Sequence, residues 1–150
     1  MFKKVIWATD TSEQADRALE YARTLAADSA GELLVLHCIE LTLPGKGPGG
    51  RYPVHADEDD EREKLHRQVA ELSSDGVKAT LQIETASVGE AARVIADVAK
   101  DAGADVIVVG TRGRTTFAGL LLGSVTHRLL HIAPCPVLAV PQPHDSTAGA

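Results

Sequence analysis

The sequence predicts an α/β fold, an open five-stranded parallel sheet with helices on both faces, and three observations carry that expectation. Five short apolar runs alternate with four longer stretches whose apolar residues recur at helical spacing. Some runs are apolar without a break, as strands are when a parallel sheet buries both their faces. The chain has 150 residues, a length that suits one well-filled core.

The elements follow in order. "KKVIWAT" (3–9) is the first strand. Thr11 and Gln14 are spaced as a capping box, and Ala15, Ala18, Leu19, Ala22, Leu25 and Ala26 then form one apolar helical stripe. Gly31 reads as the helix stop before the second strand, "ELLVLHCI" (32–39). Residues 57–75 are polar with Leu65, Val69 and Leu72 on one side, a second helix. "KATLQIE" (78–84) alternates as a half-exposed third strand. Ser87 and Glu90 make another capping box, opening a helix whose Val88, Ala91, Ala92, Ile95, Val98 and Ala99 face inward. "ADVIVVG" (104–110) is the most hydrophobic strand and is expected at the centre of the sheet. The last helix begins near Ser124 and ends before "APCP", and "PVLAV" (136–140) closes a single domain spanning 1–141. The tail, 142–150, is expected to be disordered.

Composition narrows the function. Hydrophobic residues make up 44% and charged residues 24%, as in ordinary globular chains, whereas aromatics at 3% leave Val, Ile, Leu and Ala to build the core. A net charge of -6, with no basic cluster interleaved with aromatics, argues against nucleic acid as the main partner. The apolar run near the start reaches Asp10 too soon for a secretory signal, and no stretch approaches a membrane span, so a cytoplasmic protein is expected. Cys38 and Cys135 lie far apart in apolar runs; buried reduced thiols are expected, with a disulfide as the alternative.

Crossovers in parallel sheets are right-handed, so helices cover both faces only if the winding reverses once. Ligands then collect outside the carboxyl ends of the strands beside that reversal. Asp10 after the first strand, Cys38 to Glu40 after the second, and the glycine loop after the fourth thus converge on one crevice. In "VVGTRGRTTFAGLLLGSVTH" (108–127), Gly110 and Gly113 let the backbone approach a ligand, and Gly123 and Ser124 sit where a helix starts. The first N–H groups of a helix have no internal partner and carry the positive end of its dipole, which favours a phosphate. The hydroxyls of Ser124 and Thr126 are candidate further donors, and Arg112 and Arg114 are candidates to reach an anion, with plain solvation as the alternative. On local physics alone, turn punctuation explains the glycines equally well. The first strand is followed by "TDTSEQ", not G-x-G-x-x-G, and no G-x-x-x-x-G-K-[ST] occurs, which excludes a dinucleotide fingerprint and a P-loop.

"GTRGRTTFAGLLLGS" fits G-x2-G-x9-G-[ST], and with "ATD" ending the first strand it resembles the universal stress protein family, in particular its ATP-binding branch. The similarity runs through "KKVIWATDTSE", "LLVLHCIE", "ADVIVVGTRG" and "LLGSVTHRLLHIAPCPVLAVP". It implies a Rossmann-like, adenine nucleotide α-hydrolase-like fold and ATP, with Mg, as ligand. By resemblance, Asp10 lies near the ribose or a phosphate-bound Mg, and Ala8 and Cys38 flank the adenine through their backbone. Val109 and Gly110 line the ribose side, while Gly113, Gly123, Ser124, Val125 and Thr126 hold the phosphates. Ala8 departs from members that carry proline there, and 41–56 shows no family pattern. The resemblance implies a nucleotide-dependent regulatory or stress-response protein. A slow ATPase or self-phosphorylating enzyme and a dimerising interaction protein with an idle pocket stand as alternatives.

Other features have plainer readings. The glycine- and proline-rich stretch 41–56 is a lid or, as favoured here, a linker. "DEDDE" (57–61) is favoured as a solvated helix start over a cation site. His127 and His131 share a helical face but lack a third ligand, which argues against zinc. Cys38 has no evident activating partner for a nucleophilic role. The last strand, as a sheet edge, offers backbone groups for a homodimer, which family members commonly form through this strand; the alternative is a covered edge and a monomer.

Overall fold

Five strands and four helices alternate along the residues that the computed structural model describes, 1–41, 55–112 and 122–143. They are β1 (Lys4–Thr9), α1 (Glu13–Asp28), β2 (Glu32–Leu41), α2 (His55–Ser74), β3 (Lys78–Ser87), α3 (Ala91–Ala102), β4 (Val106–Gly110), α4 (Ser124–Ile132) and β5 (Val137–Val140). All strand pairs are parallel, in the order β3-β2-β1-β4-β5. This is the predicted α/β architecture. The most hydrophobic strand, β4, is interior but not central. That place goes to β1, whose Val5 pairs with Leu33 on one side and Val106 on the other.

The alternation of β1 sorts the core into two halves. Val5 and Trp7 point to the face covered by α1 and α2, where Ala18, Ala22, Ala26, Leu65 and Leu72 are buried. Ile6 and Ala8 point to the face covered by α3 and α4, against Ala92, Ile95, Ala99 and Leu129. The buried alanines of α1, Ala15, Ala18, Ala22 and Ala26, recur every three or four residues, so one narrow stripe lets the helix lie close to the sheet. The Trp7 indole N–H donates to the Ala15 carbonyl at 3.1 Å, which satisfies its one polar group in the core. Leu65 and Leu129 are fully buried, each contributing about 1.5–3 kcal/mol, and anchor α2 and α4 on opposite faces.

Element ends differ from expectation where local chemistry outweighs spacing. Helix α1 is capped by Ser12, whose side chain accepts from the Ala15 N–H, while Thr11 adopts a left-handed φ of 68°. The second box fails because Ser87 still belongs to β3, which runs three residues beyond the expected end. Gly89 turns at a φ of 83°, α3 starts at Ala91, and Val88 is exposed rather than inward. Gly31 is not the helix stop either, since the positive φ falls on Ala30. Its missing side chain serves close approach: a Cβ there would lie 2.7 Å from the Phe2 and Lys3 carbonyl oxygens. Cys38 and Cys135 are free and half-buried, not buried. The tail from residue 144 and most of the 41–56 stretch (42–54) lie outside the described residues.

Candidate functional site

The winding reverses at β1: β2 and β3 lie to one side of it, β4 and β5 to the other. Chain leaving β1 and β4 therefore diverges to opposite faces, and a cleft opens at their carboxyl ends. Its volume is about 500 Å³. Ala8, Asp10, Cys38, Val109, Gly110 and Arg112 all line it, as do Gly123, Ser124, Val125 and Thr126. Gly113 and Arg114 lie outside the described residues.

One wall is the start of α4. The first helical bond there runs from the His127 N–H to the Gly123 carbonyl at 2.9 Å, so the N–H groups of Ser124, Val125 and Thr126 precede any intrahelical acceptor. The cap residue, Gly123, has no side chain to take them. At α1, by contrast, Ser12 Oγ occupies the equivalent position and accepts from Ala15. Gly123 has a φ of -66° and a ψ of 158°, extended backbone open to any residue. Glycine there is not required by conformation. Its effect is to leave three amides without a cap among the described residues at the cleft.

Two expected phosphate donors are already engaged. Thr126 is buried, and its Oγ1 donates to the Gly110 carbonyl at 2.8 Å, so this hydroxyl ties α4 to the end of β4 instead of reaching outward. The Gly123 N–H donates to the Thr111 carbonyl at 2.6 Å, and the Thr111 N–H to Val140 at 3.0 Å. These bonds fix where the amide-bearing turn sits relative to the sheet. The correction follows from packing: a hydroxyl buried beside a strand-end carbonyl bonds it rather than stay unsatisfied.

The opposite wall is acidic. Asp10 Oδ1 accepts from the Ser12 N–H at 3.0 Å and from the Ser12 hydroxyl, which holds the carboxylate at the turn after β1. Glu40, Glu58 and Glu61 also line the cleft. Of the acidic run starting α2, Asp59 and Asp60 are exposed as expected of a solvated helix start, but Glu58 and Glu61 are half-buried and turn inward. His37, 6% exposed, was not foreseen. Its Nδ1 lies 2.9 Å from the Thr9 carbonyl, which can only accept, so Nδ1 carries a proton. Its Nε2 faces Glu61 Oε2 at 3.5 Å. Thr9, Ala15, Ile39, Ala91 and Ile95 also line the cleft. The signal for Ala91 and Ile95 was the inward stripe of α3; for His37 it was a polar residue inside an apolar strand. Burial, with Glu40 and Glu84 nearby, pushes the Cys38 thiol up to about 11, so it is protonated at neutral pH and a poor nucleophile.

His127 and His131 are exposed and pack edge to face, with ring centroids 5.0 Å apart. No group of three or more metal-ligating side chains occurs among the described residues. No described helix is long and apolar enough to cross a membrane.

A doubly wound parallel sheet with a cleft at its switch point, walled by a helix amino terminus, defines the class of open α/β proteins that take their ligands there. Within that class, the chain belongs to the universal stress protein family, whose model matches residues 1–141. Universal stress protein Sll1388 of Synechocystis is 31% identical, over 93% of this chain and 97% of its own. The solved structure of MJ0577, a universal stress protein of Methanocaldococcus jannaschii, superposes with a TM-score of 0.75 at 28% identity, covering 97% of this chain and 99% of that one. A universal stress protein from Archaeoglobus fulgidus, solved in complex with dAMP, shares the fold with a TM-score of 0.65 at 24% identity, covering 93% and 98%.

Proposed function

We propose that the protein is a nucleotide-dependent regulatory protein of the ATP-binding branch of its family. The observation that carries this reading is the uncapped start of α4, three amides facing a cleft with no side chain on Gly123 to occupy them. A polyphosphate supplies the anion such a turn favours. The spacing G-x2-G-x9-G-[ST] supports the reading, and the Archaeoglobus protein's dAMP is an adenine nucleotide held by the same fold.

In this proposal the phosphates sit at the N–H groups of Ser124, Val125 and Thr126, with Gly113 and Arg112 beside them. The ribose lies along Val109 and Gly110, and the adenine against the backbone of Ala8 and Cys38. Asp10 faces the ribose or a Mg ion carried in on the phosphates. Residues 1–141 act as one domain, in the cytoplasm. Strand β5 ends the sheet with Leu138 exposed, and Leu130 and Ile132 of α4 are exposed too. These support a homodimer through that edge.

Isothermal titration of purified protein with ATP, with and without Mg, tests the proposal. Saturable binding at millimolar or lower nucleotide is expected. A flat titration, with adenosine, AMP and cAMP equally silent, overturns it.

A further inference from the structure

Thr11, immediately after Asp10, is a buried non-glycine residue held at a φ of 68°. The left-handed region is unfavourable for such a residue, so the conformation persists only where its surroundings impose it. Two of the bonds that impose it are local: the Thr11 N–H donates to Thr9 Oγ1 at 3.0 Å, and its hydroxyl to the Asp10 carbonyl at 2.6 Å. A third comes from another helix. Lys64 Nζ, on α2, donates to the Thr11 carbonyl at 2.7 Å and lies 2.6 Å from Asp16 Oδ2 in the first turn of α1. Gln68, one turn further along α2, donates to the other Asp16 oxygen at 3.0 Å. Its amide oxygen is buried with no hydrogen-bond partner among the described residues.

We propose that Lys64 is a positioning residue for the nucleotide site, clamping the Thr11 turn so that Asp10 is presented to the cleft, and that it couples occupancy of the cleft to α2. The proposal rests on the nucleotide reading above. Its physical basis is that α2 meets the site twice on one side: Glu58 and Glu61 line the cleft, and Lys64, about one turn beyond Glu61, grips the turn carrying Asp10. A half-buried ammonium shared between a carbonyl and a carboxylate makes a charge-assisted bond stronger than a neutral one. Movement of the Asp10 turn on binding is therefore felt by α2 through the Lys64 ammonium's bonds to Thr11 and Asp16.

The test is a double-mutant cycle on ATP affinity, read by isothermal titration. Lys64→Met keeps the stem and removes the ammonium; ATP affinity is expected to fall about tenfold, a loss that Lys64→Arg largely reverses. In an Asp10→Asn background, Lys64→Met is expected to cost little more, because its effect runs through Asp10. Amide shifts along 61–68 on adding ATP should appear in the wild type and shrink in Lys64→Met. If Lys64→Met binds ATP as the wild type does, or the two losses simply add, the coupling is overturned while the nucleotide reading stands. If the wild type binds no nucleotide, both fall. Should Lys64→Met lose its fold by circular dichroism, Asp16→Asn, which removes the ammonium's other anchor, is put through the same cycle with the same criteria.

Discussion

Replacing Gly123 by Asp should stabilise the protein and weaken nucleotide binding at once. The backbone at Gly123 is already extended, so a side chain adds no strain of φ or ψ. An aspartate at this cap accepts from the first-turn amides, as Ser12 does at α1. Relative to glycine that gains a few tenths of a kcal/mol, and its charge against the helix dipole adds about 0.3–1 kcal/mol. The sum, about 0.5–1.3 kcal/mol, corresponds to a melting temperature roughly 1–5 °C higher in a chain of this size. Binding moves the other way. A carboxylate about 4 Å from a phosphate charge costs about 1 kcal/mol in water and about 4 kcal/mol in a partly screened site. Affinity should therefore fall between about fivefold and a thousandfold. Gly123→Ser separates the parts, because it caps without charge and should cost only a few-fold. Thermal melts and titration with ATP at low and high salt read both quantities, and high salt should recover part of the Asp loss. An Asp variant that is more stable yet binds ATP like the wild type would show that the phosphates do not use these amides.

Further outcomes follow from the same geometry. Thr126→Val keeps the shape but leaves the Gly110 carbonyl without its 2.8 Å donor; urea denaturation should register a loss of about 1–3 kcal/mol, and an unchanged midpoint contradicts that role. Gly31→Ala drives a Cβ to 2.7 Å from two backbone oxygens at the amino end of the sheet. It should cost about 1–3 kcal/mol and leave ATP affinity intact, so a variant as stable as the wild type refutes the close approach. In a Cys135→Ser background, alkylation of Cys38 should be slow at pH 7 and rise about tenfold per pH unit toward its value of about 11, with ATP slowing it. A plateau near pH 8 contradicts the burial argument. The same raised thiol has no effect on stability while it is protonated in both states; above 9.0 the unfolded chain loses the proton first, so stability should fall as pH rises from there to about 11.

The sheet was legible because apolar runs and helical stripes alternate, and burial of both strand faces leaves little choice of arrangement. Val5, Ile6, Trp7 and Ala8 were readable as a strand, and right-handed crossovers forced a reversal that brought Asp10, Cys38 and Gly123 together. Ends were less legible because caps compete over one or two residues. Thr11 and Ser12 both suit a cap by type, and the choice fell to Ser12 once Asp10 bonded its amide and hydroxyl. Ser87 likewise suits a cap, but pairing with Leu41 kept it in β3.

The acidic wall was hidden for a different reason. Charged residues at the start of an amphipathic helix look the same in sequence whether they meet water or a cleft, and the dipole argument for them holds either way. What decides their direction is how far α2 is rotated about its axis, and that is set by Leu65 and Leu72 entering the core. With Leu65 fixed inward, Glu58 and Glu61, seven and four residues earlier, must lie on nearly the same side, two and one turns nearer the carboxyl ends of the strands. Asp59 and Asp60 are rotated away and remain exposed. The apolar positions therefore decide which carboxylates enter the site. Leu65→Ala should consequently disturb the cleft as well as the core, whereas Asp60→Ala should disturb neither.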